Sequence, residues 1–136
     1  MIKIKIYKVT FLETNCTYLV DEATGKSAVV DPGGRSDELI GQIKSDGGHL
    51  EYVMLTHGHY DHIYFAKQLA DMFGAKIVTG EKNNEFLSNP ALNLTAKHSL
   101  NLAPFSADIL LRDGDTFMLG ETEIKYITTP GHTSGC

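Results

Sequence analysis

Three histidines and an aspartate fall within the six residues His57-Gly58-His59-Tyr60-Asp61-His62. Directly before them runs Tyr52-Val53-Met54-Leu55, an apolar stretch that reads as a buried strand emptying into a polar loop. His57 and His59 are two apart, so in an extended stretch both imidazoles project to the same side and can chelate one ion. Zinc takes neutral histidine nitrogens and commonly uses three protein ligands in catalytic sites. Asp61 and His62 add a carboxylate oxygen and a further nitrogen, enough to begin a neighbouring metal position. Gly58 leaves the backbone room to bend around the ion. Scattered surface histidines are common, whereas four ligand-type residues at this spacing are not, so the segment points to a metal site.

A site of three histidines needs one from elsewhere in the chain. His132 is the natural partner: it lies in Thr129-Pro130-Gly131-His132-Thr133-Ser134-Gly135, again a glycine-rich turn after an apolar strand. His49, following Gly47-Gly48, and His98, in a polar stretch, each read as surface residues. Three histidines suit zinc, iron, manganese and cobalt alike.

The elements that must position these side chains alternate between strand and helix. Ile2 to Lys8 alternates with period two, as a half-buried strand does. A second strand is expected over Cys16 to Val20, a hairpin turn at Glu22 to Lys26, and a short strand at Ser27-Ala28-Val29-Val30, stopped by Asp31-Pro32-Gly33-Gly34. Ser36 or Asp37 caps a helix with Leu39, Ile40 and Ile43 on its apolar face. Ile63 to Phe73 reads as a second amphipathic helix closed by Gly74, and Ile77-Val78 as a further strand. Glu81 to Ala107 reads as one short helix and mostly loop. Asp113-Gly114-Asp115 is a turn between two apolar runs, and a last strand is expected over Glu123 to Thr128. Hairpins first, then strands alternating with helices, predict an α/β chain with a mixed sheet.

The 136 residues suggest one domain spanning 1–136, and 42% hydrophobic with 21% charged residues is an ordinary globular composition. A net charge of −5 gives no footprint for nucleic acid or an anionic membrane. Nothing approaches the apolar length that spans a bilayer. The charged start, Met1-Ile2-Lys3-Ile4-Lys5-Ile6, lacks the apolar core of a signal peptide. Cys16 and Cys136 form no metal-type or redox-type pair, so the expected setting is the cytoplasm with free thiols.

The His57-Gly58-His59-Tyr60-Asp61-His62 segment resembles the HxHxDH signature of the metallo-β-lactamase superfamily, and Thr129 to Gly135 its later GHTxG segment. Val30-Asp31-Pro32-Gly33 looks like the family's strand-end aspartate, and Asp113-Gly114-Asp115 stands where members often carry a DGD turn. These landmarks come in family order and cover nearly the whole chain. The Asn89-Pro90-Ala91-Leu92-Asn93 stretch and the overall brevity are similar to the small glyoxalase II-like proteins, the hydroxyacylglutathione hydrolases. The resemblance implies an αββα sandwich with metals at one edge. It assigns His57, His59 and His132 to a first metal, Asp61 and His62 to a second, and Asp31 to steadying the histidine loop from behind. On the residues alone, Asp31 reads equally as part of an Asp-Pro-Gly turn.

The implied chemistry is zinc-dependent hydrolysis, with iron or manganese as alternatives. A metal lowers the pKa of bound water towards about 7, and the resulting hydroxide attacks an ester or thioester carbonyl. Asp61 orients that water or takes its proton, and Tyr60 either donates to the developing oxyanion or packs. The expected substrate class is a small thioester or ester, foremost thioesters of glutathione. Family members continue past GHTxG with a strand, a bridging aspartate and a late histidine, so the landmarks correspond to the first half to two thirds of such a domain. Cys136 is then either a thiolate ligand for the second metal or a small core residue. A part-domain exposes a sheet face, which predicts a homo-oligomer whose second copy covers it. The rival reading is a catalytically silent metal-binding module that works through association.

Overall fold

The alternating N-terminus pairs as its period requires. In the computed structural model, which describes residues 2–8, 15–56, 60–89, 92 and 105–127, β1 (Ile2–Lys8) runs antiparallel to β2 (Asn15–Asp21). β2 turns back into β3 (Ser27–Val30), again antiparallel. The direction rule then changes. β4 (Leu50–Leu55), β5 (Lys76–Gly80) and β6 (Ile109–Leu111) each join parallel to the strand before, completing a six-stranded sheet in chain order. Parallel neighbours need long crossovers. Those segments hold α1 (Asp37–Ser45), α2 (Tyr60–Ile63), α3 (Ala66–Phe73) and a 3-10 helix (Glu81–Ser88). β7 (Thr116–Leu119) and β8 (Thr122–Lys125) form a separate antiparallel pair.

Each face of the large sheet has its own partner. On one, Val29, Val53 and Ile77 join Leu39, Ile43, Ile63 and Leu69 of the helices in a single apolar core. On the other, the Tyr52 ring meets Phe117 of β7 edge-on, with centroids 5.1 Å apart. Helices on one side of a mixed sheet and a second sheet on the other are the α/β sandwich that the sequence motifs imply.

Ser36 caps α1, its hydroxyl accepting the Leu39 N–H at 3.2 Å, with Asp37 and Glu38 in the first turn and Lys44 in the last. The second helix departs from expectation. The stretch from Ile63 to Phe73 is not continuous, because the Phe65 N–H donates to the Pro32 carbonyl at 2.9 Å rather than back into the helix. The ladder breaks there and restarts as α3, where the Leu69 N–H bonds the Phe65 carbonyl. The last strand spans Thr122–Lys125: the Tyr126 N–H still bonds the Asp115 carbonyl in register, but the Asp115 N–H turns away to the Arg112 carbonyl, and the expected end at Thr128 lies outside the described residues. The Asp113-Gly114-Asp115 turn carries the chain from one sheet to the other.

Asp21, at the end of β2, ties the two sheets together. It is 1% exposed, and its carboxylate accepts the Glu121 N–H at 3.0 Å and the Thr24 and Thr122 hydroxyls at 2.7 and 2.9 Å. The Glu121 amide and these hydroxyls hold its pKa down to about 2 against the opposing effect of burial. A carboxyl depressed below its unfolded value of 3.8 stabilises the fold above that value and loses this contribution as pH falls through about 2. Thermal unfolding followed from about pH 5 to pH 2 should therefore show a loss of stability that is smaller in Asp21→Asn, which has no charge to lose. Identical acid sensitivity in the two proteins would overturn this assignment.

Candidate functional site

Because β3 and β4 are parallel, with Val30 opposite Met54, their C-terminal ends lie side by side. Asp31 leaves the first end and Thr56 the second. Asp31 is 5% exposed and holds φ at +56°, a left-handed conformation that aspartate tolerates better than most residues. Its N–H donates to the Met54 carbonyl at 2.9 Å, and the Gly33 N–H closes a turn onto its own carbonyl. The carboxylate takes three hydrogen bonds. Oδ1 accepts the Thr56 N–H at 2.8 Å, and Oδ2 accepts the Thr56 hydroxyl at 2.6 Å. Oδ2 also faces Nδ1 of His62 at 2.9 Å. The turn expected at Asp31 thus forms, and its carboxylate bonds Thr56 and His62 on either side of the histidines at 57 and 59, which lie outside the described residues.

In the tautomer whose Nδ1 donates to Asp31, Nε2 is the ring's electron-pair donor. Metal-binding histidines usually direct their second nitrogen at a carboxylate in this way, which fixes the ring and raises its basicity. The chemistry of His62 therefore fits a metal ligand. Asp61 and Tyr60 lie on α2 with His62, and only their backbone is described. His57, His59, His132 and Cys136 lie outside the described residues. Among the described residues alone, no three histidine, cysteine or acidic side chains gather as a metal-binding group.

Two further side chains lie beneath this edge: Asn83, which sequence reasoning did not single out, and Cys16, which it read as a free thiol. Asn83, completely buried on the 3-10 helix, donates through Nδ2 to the Thr56 carbonyl at 3.3 Å and to the Thr79 hydroxyl at 3.2 Å. A polar pair, Asn83-Asn84, three residues past the end of β5 was the only hint. Cys16, a buried free thiol on β2, has its pKa pushed up to about 12 by burial and by the nearby charge of Asp31. It stays protonated at neutral pH and is no nucleophile.

The profile of the metallo-beta-lactamase superfamily matches residues 9–136. The chain belongs to this superfamily. A hydroxyacylglutathione hydrolase of Haemophilus influenzae is 31% identical over 134 residues, which cover 97% of this chain and 63% of that protein. A probable polyketide biosynthesis zinc-dependent hydrolase of Bacillus subtilis is 30% identical over 123 residues, covering 90% and 48%. The crystal structure of BLEG-1, a B3 metallo-beta-lactamase, superposes with a TM-score of 0.88 at 27% identity, covering 98% of this chain and 64% of that one. The chain thus spans about half to two thirds of the length of the relatives it matches, the share its motifs imply. These relatives are hydrolases by name, and members of the superfamily are metal-dependent.

Proposed function

We propose that this chain is the metal-binding part of a zinc-dependent hydrolase acting on a small thioester or ester, similar to the hydroxyacylglutathione hydrolases. The observation that carries this reading is the bond between His62 Nδ1 and Asp31 in a chain of this superfamily. His57, His59 and His132 hold a first metal, and Asp61 and His62 contribute to a second, where Cys136 is the remaining candidate thiolate. Bound zinc supplies Lewis acidity, polarising the substrate carbonyl and lowering the pKa of water. Asp61 orients the attacking water and accepts its proton. Asp31 keeps the His62 ring in one tautomer, and Tyr60 donates to the oxygen on which negative charge develops.

A second reading, a catalytically silent metal-binding module that self-associates, draws on Ile4 and Ile6. They stand 61% and 58% exposed on β1, at one end of the large sheet, where a second copy would cover them. On either reading the setting is a reducing cytoplasm, in keeping with the unpaired thiol of Cys16. Among the described residues no helix is long and apolar enough to cross a membrane.

Hydrolysis of a glutathione thioester, followed as released thiol, separates the two. Turnover that chelator removes, zinc restores and His57→Ala abolishes supports the hydrolase. Zinc bound without turnover supports the module.

A further inference from the structure

We propose that Asn83 is a positioning residue for the metal site, setting the direction in which the chain leaves β4 for His57 and His59. The proposal rests on the reading of those histidines as ligands. Thr56 immediately precedes His57, and three of its groups are held from two sides. Asp31 takes its N–H and hydroxyl, while the Asn83 amide takes its carbonyl at 3.3 Å. A peptide unit is planar, so the orientation of the Thr56 carbonyl is also the orientation of the bond leading to His57.

The sheet itself does not supply this restraint. The β4–β5 pairing ends at Leu55 opposite Thr79, one residue short of Thr56. β5 runs one residue further, to Gly80, which pairs with β6, and the 3-10 helix that follows brings the Asn83 side chain to donate to the Thr56 carbonyl. Burying an amide without exposure is costly unless its hydrogen bonds are made. An apolar side chain would fill the same position more simply, but it could not make the bond that Asn83 gives to the Thr56 carbonyl. The second Asn83 bond, to the Thr79 hydroxyl, which itself donates to the Leu55 carbonyl at 3.0 Å, anchors the amide to the strand beneath.

The test compares zinc affinity, by competition with a chromophoric chelator, and the visible spectrum of the cobalt-substituted protein. The 136-residue chain is measured beside Asn83→Ala and Asn83→Ser, the latter too short to reach the Thr56 carbonyl yet gentler on packing if the alanine variant fails to fold. Asp108→Ala serves as a stability control: it removes the carboxylate that accepts the Ile77 N–H at 2.8 Å on the same β5, at the pair with Val53 and not at Thr56. Supporting ligand geometry from outside the coordination sphere typically changes affinity about 10- to 100-fold. The Asn83 variants should weaken zinc binding by at least about 10-fold and shift the cobalt bands, while Asp108→Ala does neither. Wild-type affinity and spectrum in the Asn83 variants would overturn the proposal alone, as would an equal change in Asp108→Ala. If the unsubstituted chain binds neither metal, the ligand reading fails and this proposal falls with it.

Discussion

Asp31→Asn should bind zinc about 10- to 100-fold more weakly than the unsubstituted chain, and should be less stable without metal. Asparagine matches aspartate in size and also tolerates the left-handed backbone that Asp31 adopts at φ +56°. Neither packing nor backbone strain therefore accounts for the change. What differs is hydrogen-bond sense. The carboxylate accepts from the Thr56 N–H, the Thr56 hydroxyl and His62 Nδ1. An amide offers one accepting oxygen and an NH₂ that must confront at least one of those donors. A buried donor left without an acceptor costs about 1–3 kcal/mol. His62 also loses the partner that selects its tautomer, and this is the source of the affinity loss. Calorimetric zinc titration and thermal unfolding of the metal-free protein check the two halves separately. Unchanged zinc affinity alongside reduced stability would leave Asp31 a turn residue and nothing more.

Gly120→Ala should destabilise the chain by about 3 kcal/mol, since left-handed backbone costs a side-chain-bearing residue about 1–3 kcal/mol and forced overpacking a similar amount. Gly120 holds φ at +59°, and a methyl group there would collide with the Asp21 carboxylate and the Thr24 hydroxyl. Those are the groups that join the large sheet to the β7–β8 turn, so relief of the collision requires breaking the junction. For a chain of this size the loss corresponds to a fall of roughly 10 °C in melting temperature. Gly114→Ala is the informative comparison. Gly114 has φ +88° but nothing within 4 Å of the added carbon, so it should suffer the backbone strain alone. Equal losses at the two glycines would show that the contact with Asp21 contributes nothing.

Much of the fold follows from local pattern. The period-two alternation of Ile2 to Lys8 makes β1, and Ser36 followed by Leu39, Ile40 and Ile43 makes a capped helix with its apolar face inward. The histidine segment stands out for a similar reason, since its ligand-type residues are neighbours in sequence, although His57 and His59 lie outside the described residues. The superfamily follows from that segment together with Thr129 to Gly135.

What sequence could not determine depends on groups distant along the chain. The helix expected from Ile63 to Phe73 breaks because a carbonyl on Pro32, outside its window, captures the Phe65 N–H. Asp21 gives no local sign of joining two sheets, since its partners Glu121 and Thr122 lie 100 and 101 positions away. Asn83 reaches a carbonyl 27 positions earlier, and Asp31 meets His62 from 31 positions away. Periodicity reports which face of an element is apolar. Which donor meets which acceptor at the end of a strand is decided when parallel strands align, and for Asp31, Thr56 and His62 only the tertiary structure aligns them.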